Sequence, residues 1–300
     1  MGMLKRAGAA FAALATAGIG VQARAAELLG RPTPGAIDLQ AAASPLKHQV
    51  IFFHNVILLP IITAITLFVA FLLLYCVFRF NKKANPEPAR WSHNTPIEVL
   101  WTVVPVLILM FIAIFSFKLL YAYHDMPPPD VTVKATGNQW YWSYAYPDLK
   151  VAEYTSNILP EDKAGPALYR LRADNPMVVP VNKVVRVLVT GADVIHAFAV
   201  PAFGVKIDAI PGRVNQTWFK AEKIGIYYGQ CSELCGIDHA FMPIQINVVS
   251  QAEFDAWVAS KGGGAAAAAS SAPAASAAPA ASSAPAASSA PAASSAPAAH

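Results

Sequence analysis

The run His48–Val77, HQVIFFHNVILLPIITAITLFVAFLLLYCV, contains no Asp, Glu, Lys or Arg. Crossing the hydrocarbon core of a bilayer takes about 20 predominantly apolar residues, so this run is long enough to span. A helix in a soluble core would keep a polar face, and none can be drawn here. A second uncharged run, VLWTVVPVLILMFIAIFSF, lies between Glu98 and Lys118. Two spans so close together predict a transmembrane hairpin, with helices over 48–80 and 95–123. The loop between them, 81–94, is rich in Lys and Arg with one acid, Glu87, and basic loops stay cytoplasmic. Both ends of the hairpin then face the exported side.

Outward from the hairpin the composition changes twice. At the N-terminus, Lys5 and Arg6 precede a small-residue apolar run, and Ala23-Arg24-Ala25 offers an A-x-A site. This predicts a signal peptide over 1–25, with an uncleaved third span as the alternative, and leaves 26–47 as an exported segment. At the far end, 261–300 is almost wholly Ala, Ser, Pro and Gly, with nothing to bury, and is expected to be disordered. These segments and the spans explain the 55% hydrophobic content, the 13% charged content and the mean hydropathy of +0.42.

Between hairpin and tail, 124–260 reads as an exported all-β domain. HDMPPPD ends the second helix, because three prolines cannot continue it. Short runs such as VTVKATG, YWSYAY, VVRVLVTG, HAFAV and MPIQINVV follow, rich in β-branched and aromatic residues and punctuated by Gly, Pro and Asn. That pattern predicts a sandwich or barrel of about a hundred residues. QAEFDAWVASK reads as a short closing helix. The formal charge of +4 misleads about partners, since 124–260 carries 11 Lys and Arg against 14 Asp and Glu. A clustered basic face of the kind that binds nucleic acid is not indicated.

The chemistry concentrates in Gly229–Pro243, GQCSELCGIDHAFMP. A Cys231–Cys235 disulfide is compatible with an exported domain, but it leaves His239 and Met242 unexplained. Thiolate, imidazole and thioether crowded on one loop, with a second imidazole from elsewhere, form a blue-copper pattern. His196, just after a β-patterned run, can supply that imidazole. One thiolate is then in excess for a single copper, whereas two thiolates can bridge two coppers, each capped by one His. A Cys₂His₂ zinc site is the rival that the ligand types alone permit.

HNTPIEVLWTVVP, VTVKATGNQWYWSYAYP, DVIHAFAVPAFGVKIDAIPGRVNQTWF and YYGQCSELCGIDHAFMPI together resemble subunit II of the aa3-type haem–copper cytochrome c oxidases, in family order over most of 46–258. The resemblance implies a two-helix hairpin followed by a cupredoxin-like Greek-key barrel that holds a binuclear copper centre, CuA. It implies that Cys231 and Cys235 bridge the coppers, that His196 and His239 each ligate one, and that Met242 and the Glu233 carbonyl are weak axial ligands. The Glu233 side chain is implied to reach a magnesium ion shared with subunit I. Trp140 resembles the residue that takes electrons from cytochrome c, and Glu98 the carboxylate at the mouth of a proton channel. Lys206, Asp208 and Arg213 fit a turn against subunit I. Further implied are subunit III, membrane lipid, and residence in a bacterial inner membrane with the copper domain in the periplasm.

Two positions depart from the family pattern. Asn138 replaces a common histidine, and Ala145 replaces an acid that helps dock cytochrome c. Asp148, Glu153, Asp174 and Asp193 remain as candidates for an acidic docking patch. A copper-free quinol oxidase subunit, a CuA domain for nitrous oxide reduction and a redox-inert binding module are the competing readings. The chain carries no C-x-x-C-H haem attachment motif, so the electron donor is a separate protein.

Overall fold

The computed structural model describes residues 30–87 and 89–264. The expected signal peptide and most of the expected tail lie outside them.

The first apolar run forms helix α1, Pro45–Arg79. Ser44 sets its start: the hydroxyl accepts the Lys47 N–H at 3.1 Å, and Pro45 fills the first turn, where its missing N–H costs nothing. The helix therefore begins ahead of the uncharged run and takes in Lys47. Over Phe53–Leu58 it widens into a π-turn. The widening falls just before Pro60, which cannot donate to Val56 and whose ring would press on that carbonyl in α geometry.

Helix α2, Thr95–His124, carries the second run. Asn94 caps it by accepting the Ile97 N–H at 3.3 Å, while the Glu98 carboxylate accepts the Asn94 N–H at 3.3 Å. Glu98 thus folds back onto its own helix start. Within α1, large apolar side chains such as Leu67, Phe71 and Phe78 are exposed, as are Leu109 and Ile114 of α2. In water such surfaces would be a heavy liability; in lipid they are what a span requires.

Ten strands follow: β1 (Val131–Asn138), β2 (Tyr141–Tyr146), β3 (Val151–Ser156), β4 (Met177–Pro180), β5 (Val184–Gly191), β6 (His196–Val200), β7 (Val205–Ala209), β8 (Asn215–Lys220), β9 (Gly225–Cys231) and β10 (Pro243–Val249). They build two five-stranded sheets, ordered β3-β2-β1-β5-β8 and β4-β10-β9-β6-β7. The β1–β5 and β4–β10 pairs are parallel and the rest antiparallel, so the chain crosses between sheets as a cupredoxin-like fold does. The core between the sheets joins Val133, Trp142, Tyr144, Val187, Phe198, Phe219, Ile244 and Ile246, all buried. A one-turn helix α3, Glu161–Ala164, lies in the β3–β4 connection. Helix α4, Gln251–Ser260, starts with a reciprocal Ser250–Glu253 capping box and buries Phe254 and Val258, four residues apart on one face. Trp257 meets Tyr146 edge-on at 5.0 Å, and the Tyr146 hydroxyl both donates to and accepts from the Val178 backbone.

The hairpin and the β domain meet at the turn Pro201–Gly204, between β6 and β7, and at Glu222, just after β8. Ala43 N–H donates to Ala202 O at 2.9 Å, the Ser44 hydroxyl to Phe203 O at 2.7 Å, and the Tyr123 hydroxyl to Gly204 O at 2.7 Å. Glu222 N–H returns a bond to Ala43 O at 3.0 Å, and the Glu222 carboxylate meets the His48 imidazole at 3.0 Å. Gly204 has φ +73°, and a Cβ there would stand 3.0 Å from the Tyr123 hydroxyl, so glycine alone fits.

Candidate metal centre

Cys231 ends β9, and the loop after it turns back to β10 at Pro243. β6 runs beside β9, pairing Phe198 with Cys231, and so brings His196 to the same end of the sheet. The Cys231 and Cys235 sulfurs lie 3.9 Å apart, nearly twice the length of an S–S bond at about 2.05 Å, and both cysteines are free. Each thiol has an imidazole of its own: Cys231 Sγ is 3.9 Å from His196 Nδ1, and Cys235 Sγ is 3.5 Å from His239 Nδ1. Met242 Sδ stands 3.5 Å from Cys235 Sγ, and the Cys231 thiol donates to the Glu233 carbonyl at 3.3 Å. His196, Cys231 and Cys235 present their ligand atoms within 4.8 Å of one another, all three buried.

The electrostatics favour a thiolate here. Burial pushes the Cys231 thiol up, but hydrogen bonds from His196 and nearby backbone groups outweigh it and bring the thiol well below its ordinary value. Burial and the neighbouring Cys231 charge push Cys235 the other way. One proton leaves readily and the second is held, which is the behaviour of two acids sharing one small site. A soft cation releases the second by taking its place.

Neighbouring residues fix the ligands. His196 is fully buried, and its Nε2 lies 2.8 Å from Asp193 Oδ1, leaving Nδ1 to face the sulfurs. A carboxylate behind an imidazole sets its tautomer and raises its basicity. Burial lowers the His196 pKa, yet the bonds to Cys231 and Asp193 raise it more. Asp193 also accepts the N–H of Gln139 at 2.7 Å and of Val194 at 2.6 Å. With its oxygens so engaged, it is a brace for the site more than a member of a free acidic patch. Asp174 is similarly held, by the N–H groups of Asn157 and Asn175; all four acids, with Asp148 and Glu153, are exposed.

Trp140 sits half-buried against the loop. A Cβ on Gly236, where φ is +129°, would come within 2.9 Å of its ring, so that glycine lets the indole rest on the ligand loop. The Gln139 side chain donates to Cys235 O at 2.8 Å and ties the same turn to a ligand residue. Trp142 is fully buried, with its ring 6.2 Å from that of His196. Arg170 lies 4.5 Å over the Phe241 ring, beside His239. Asn138, at one departure from the family pattern, donates to Thr136 O and Ser143 Oγ. Ala145, at the other, pairs with Lys134 on β1. Glu233 is exposed, as are Lys206, Asp208 and Arg213 on β7 and the turn after it. Glu98 lies apart, at the loop end of the hairpin.

Sequence reading did not single out Gly137, Gln139 or Arg170. The signal for Gly137 is present only in retrospect: it pairs with Gly191 across β1–β5, where the ring of His196 needs the room.

A cupredoxin-like domain with a soft two-thiol, two-imidazole site, carried on a two-helix membrane anchor, defines a class of membrane-bound electron-transfer proteins. Comparison with known proteins narrows it. Residues 131–249 match the family described as cytochrome c oxidase subunit II, periplasmic domain, and residues 32–119 match the transmembrane domain of the same subunit. Cytochrome c oxidase subunit 2 of Cereibacter sphaeroides is 47% identical over 270 residues, covering 84% of this chain and 88% of the relative. The probable subunit 2 of Rickettsia felis is 52% identical over 231 residues, covering 77% and 73%. The crystal structure of the periplasmic domain of subunit II from Bradyrhizobium japonicum is 65% identical, with a TM-score of 0.43, covering 46% of this chain and 96% of that one. The chain belongs to the cytochrome c oxidase subunit II family. Its helices span a membrane, and its His/Cys/Cys group suits the copper of that family.

Proposed function

We propose that this chain takes single electrons from cytochrome c and hands them to subunit I of a haem–copper oxidase, where oxygen is reduced and protons are translocated. The observation that carries the reading is the pairing at the site, two free thiols each facing the Nδ1 of a separate imidazole. Cys231 and Cys235 would bridge two coppers, with His196 and His239 as the outer ligands. Met242 and the Glu233 carbonyl would be weak axial donors. The thioether beside Cys235 favours copper over a tetrahedral zinc, which has no use for it. Bound there, a binuclear copper centre supplies one-electron redox chemistry with its charge shared over two metals.

The protein's part is to hold the ligands still and keep water away. Buried sulfurs and a braced His196 do the first; Met242 and Trp142, both fully buried, do the second. Trp140 would receive the electron, and the exposed Glu233 carboxylate would reach a magnesium ion shared with subunit I. Lys206, Asp208 and Arg213 would face subunit I, with subunit III and lipid around the spans. By the positive-inside bias, the basic loop 81–94 would lie in the cytoplasm of a bacterial cell and the copper domain in the periplasm.

Trp140→Phe tests the intake assignment. The copper absorption should be unchanged while reduction by cytochrome c, followed by stopped flow, slows by an order of magnitude or more. An undiminished rate would return Trp140 to the role of a packing residue. The same reaction should weaken as salt rises, since exposed charges such as Asp148 and Glu153 are screened over about 8–10 Å.

Glu98 is proposed as the carboxylate at the cytoplasmic mouth of a proton path into subunit I. Its fold back onto Asn94 leaves one oxygen for other partners. Glu98→Gln should cut steady-state turnover severalfold while leaving copper content and copper reduction as they were, because the amide keeps the cap but cannot carry the proton. Equal turnover across the pH range would remove the assignment.

A further inference from the structure

The two imidazoles of the site are held unequally. His196 is fully buried, with the Asp193 carboxylate 2.8 Å behind it. His239 is half-buried and begins a one-turn helix, His239–Phe241, whose start no side chain caps. Among the described residues its side chain has one hydrogen-bond partner, the Cys235 thiol in front of it. A single turn has little stability of its own, yet this one carries His239 and leads directly into Met242.

The β3–β4 connection lies across this turn and is fixed on both sides of it. Gln230 of β9, next to Cys231, donates its side-chain amide to the Arg170 carbonyl. The Ala173 N–H donates to Oε1 of the buried Gln245 of β10 at 3.0 Å. The two strands bracket the ligand loop, so the connection spans its base. Arg170 stands in the turn that the Leu171 N–H closes on Leu168 O at 3.0 Å, with φ +67°. Residues with a Cβ seldom adopt that left-handed conformation, and a glycine would take it readily. What an arginine adds there is its side chain. The side chain is exposed, and its guanidinium carbon lies 4.5 Å over the Phe241 ring. A cation within about 6 Å of an aromatic face is attracted by the ring, and the flat guanidinium stacks on it. We infer that Arg170 is a positioning residue for the metal centre: it pins Phe241, and with it the turn that aims His239 and Met242 at Cys235. One imidazole is braced by a carboxylate, the other through a ring.

The inference deepens the copper reading and rests on it for the metal measurements, but the pinning itself can be measured without metal. In the full-length chain prepared without copper, Arg170→Leu should speed hydrogen exchange of the 239–242 amides roughly threefold, the effect of losing an exposed cation–π contact. In the loaded oxidase, copper release to a chelator should quicken by a similar factor, since it passes through the same local opening. Pulsed EPR should show one imidazole nitrogen coupling shifted and the other, that of His196, unchanged. Adding Arg170→Leu to Phe241→Leu should change nothing further, because the two side chains make one interaction. The inference is overturned if exchange at 239–242 is unchanged in Arg170→Leu, or if the two substitutions act additively. A joint shift of both imidazole couplings would overturn it too, as a loosening of the whole domain. Absence of a paired-copper spectrum from wild type would instead sink the copper reading, and the exchange rates would still decide the role of Arg170.

Discussion

Cys231→Ser should abolish the paired-copper spectrum of the assembled oxidase. The two sulfurs stand 3.9 Å apart with one imidazole behind each, so both thiolates would be at hand to hold the copper. A serine hydroxyl is close in shape but is a hard donor that stays protonated at neutral pH, so it cannot replace a bridging thiolate. Copper analysis should find no more than one copper per chain, and the EPR spectrum should lose the pattern of an electron shared over two nuclei. The fold should survive, since Cys231 adds little to a core built on Trp142, Phe198 and Ile244. A mixed-valence signal unchanged from wild type would refute the bridging role. Loading of the wild-type site should itself slow as pH falls. Both thiols must lose protons to the solvent, and the held proton on Cys235 becomes harder to remove.

A comparable loss is expected from Gly137→Ala, a residue that is no ligand at all. A Cβ at position 137 would lie 2.9 Å from both Cγ and Cδ2 of His196. Contacts so short force one partner to move, and neither moves easily. Gly137 is fixed on β1 between Trp142 of β2 and Gly191 of β5. His196 is fully buried and held from behind by Asp193. The imidazole must therefore tilt away from Cys231, taking Nδ1 out of line with the sulfurs. Overpacking of this kind costs about 1–3 kcal/mol of stability. Displacing a ligand's support typically costs 10–100-fold in metal affinity, and a similar loss of copper is expected here. Thermal unfolding and the copper-to-protein ratio would measure both. A normal copper spectrum at normal stoichiometry would mean that the ring has slack which the packing does not show.

The two predictions differ in how far the sequence announces them. Cys231, Cys235, His239 and Met242 stand within twelve residues, so their common chemistry is visible in one line of text. His196 is found by asking for a second imidazole next to a β-patterned run. Gly137 cannot be found that way, because its importance is an empty volume created by β1 and β6 lying close together. Asp193 was visible as an acid, but only the folded chain sets its carboxylate behind the His196 imidazole while leaving it exposed. The start of α1 shows the same limit on a smaller scale. An uncharged run marks the lipid-facing part of a helix, whereas Ser44 and Pro45 decide where its first turn begins, and so Lys47 is helical. The two-sheet domain was legible as short punctuated strands, but the strand order was not, since parallel pairs such as β1–β5 join segments far apart in the chain.

The turn at Pro201–Gly204 carries a consequence for rate. It is bonded to the start of one span through Ala43 and Ser44 and to the end of the other through Tyr123. The domain is thereby seated on two legs, and a body on two legs cannot swivel about either one. Electron tunnelling weakens exponentially with the gap between redox centres, so a domain free to rock would spend most of its time too far from its acceptor. With the turn clamped at both sides, the height and bearing of the ligand loop above the bilayer are set when the chain folds. The gap then belongs to the architecture and is not left to thermal motion.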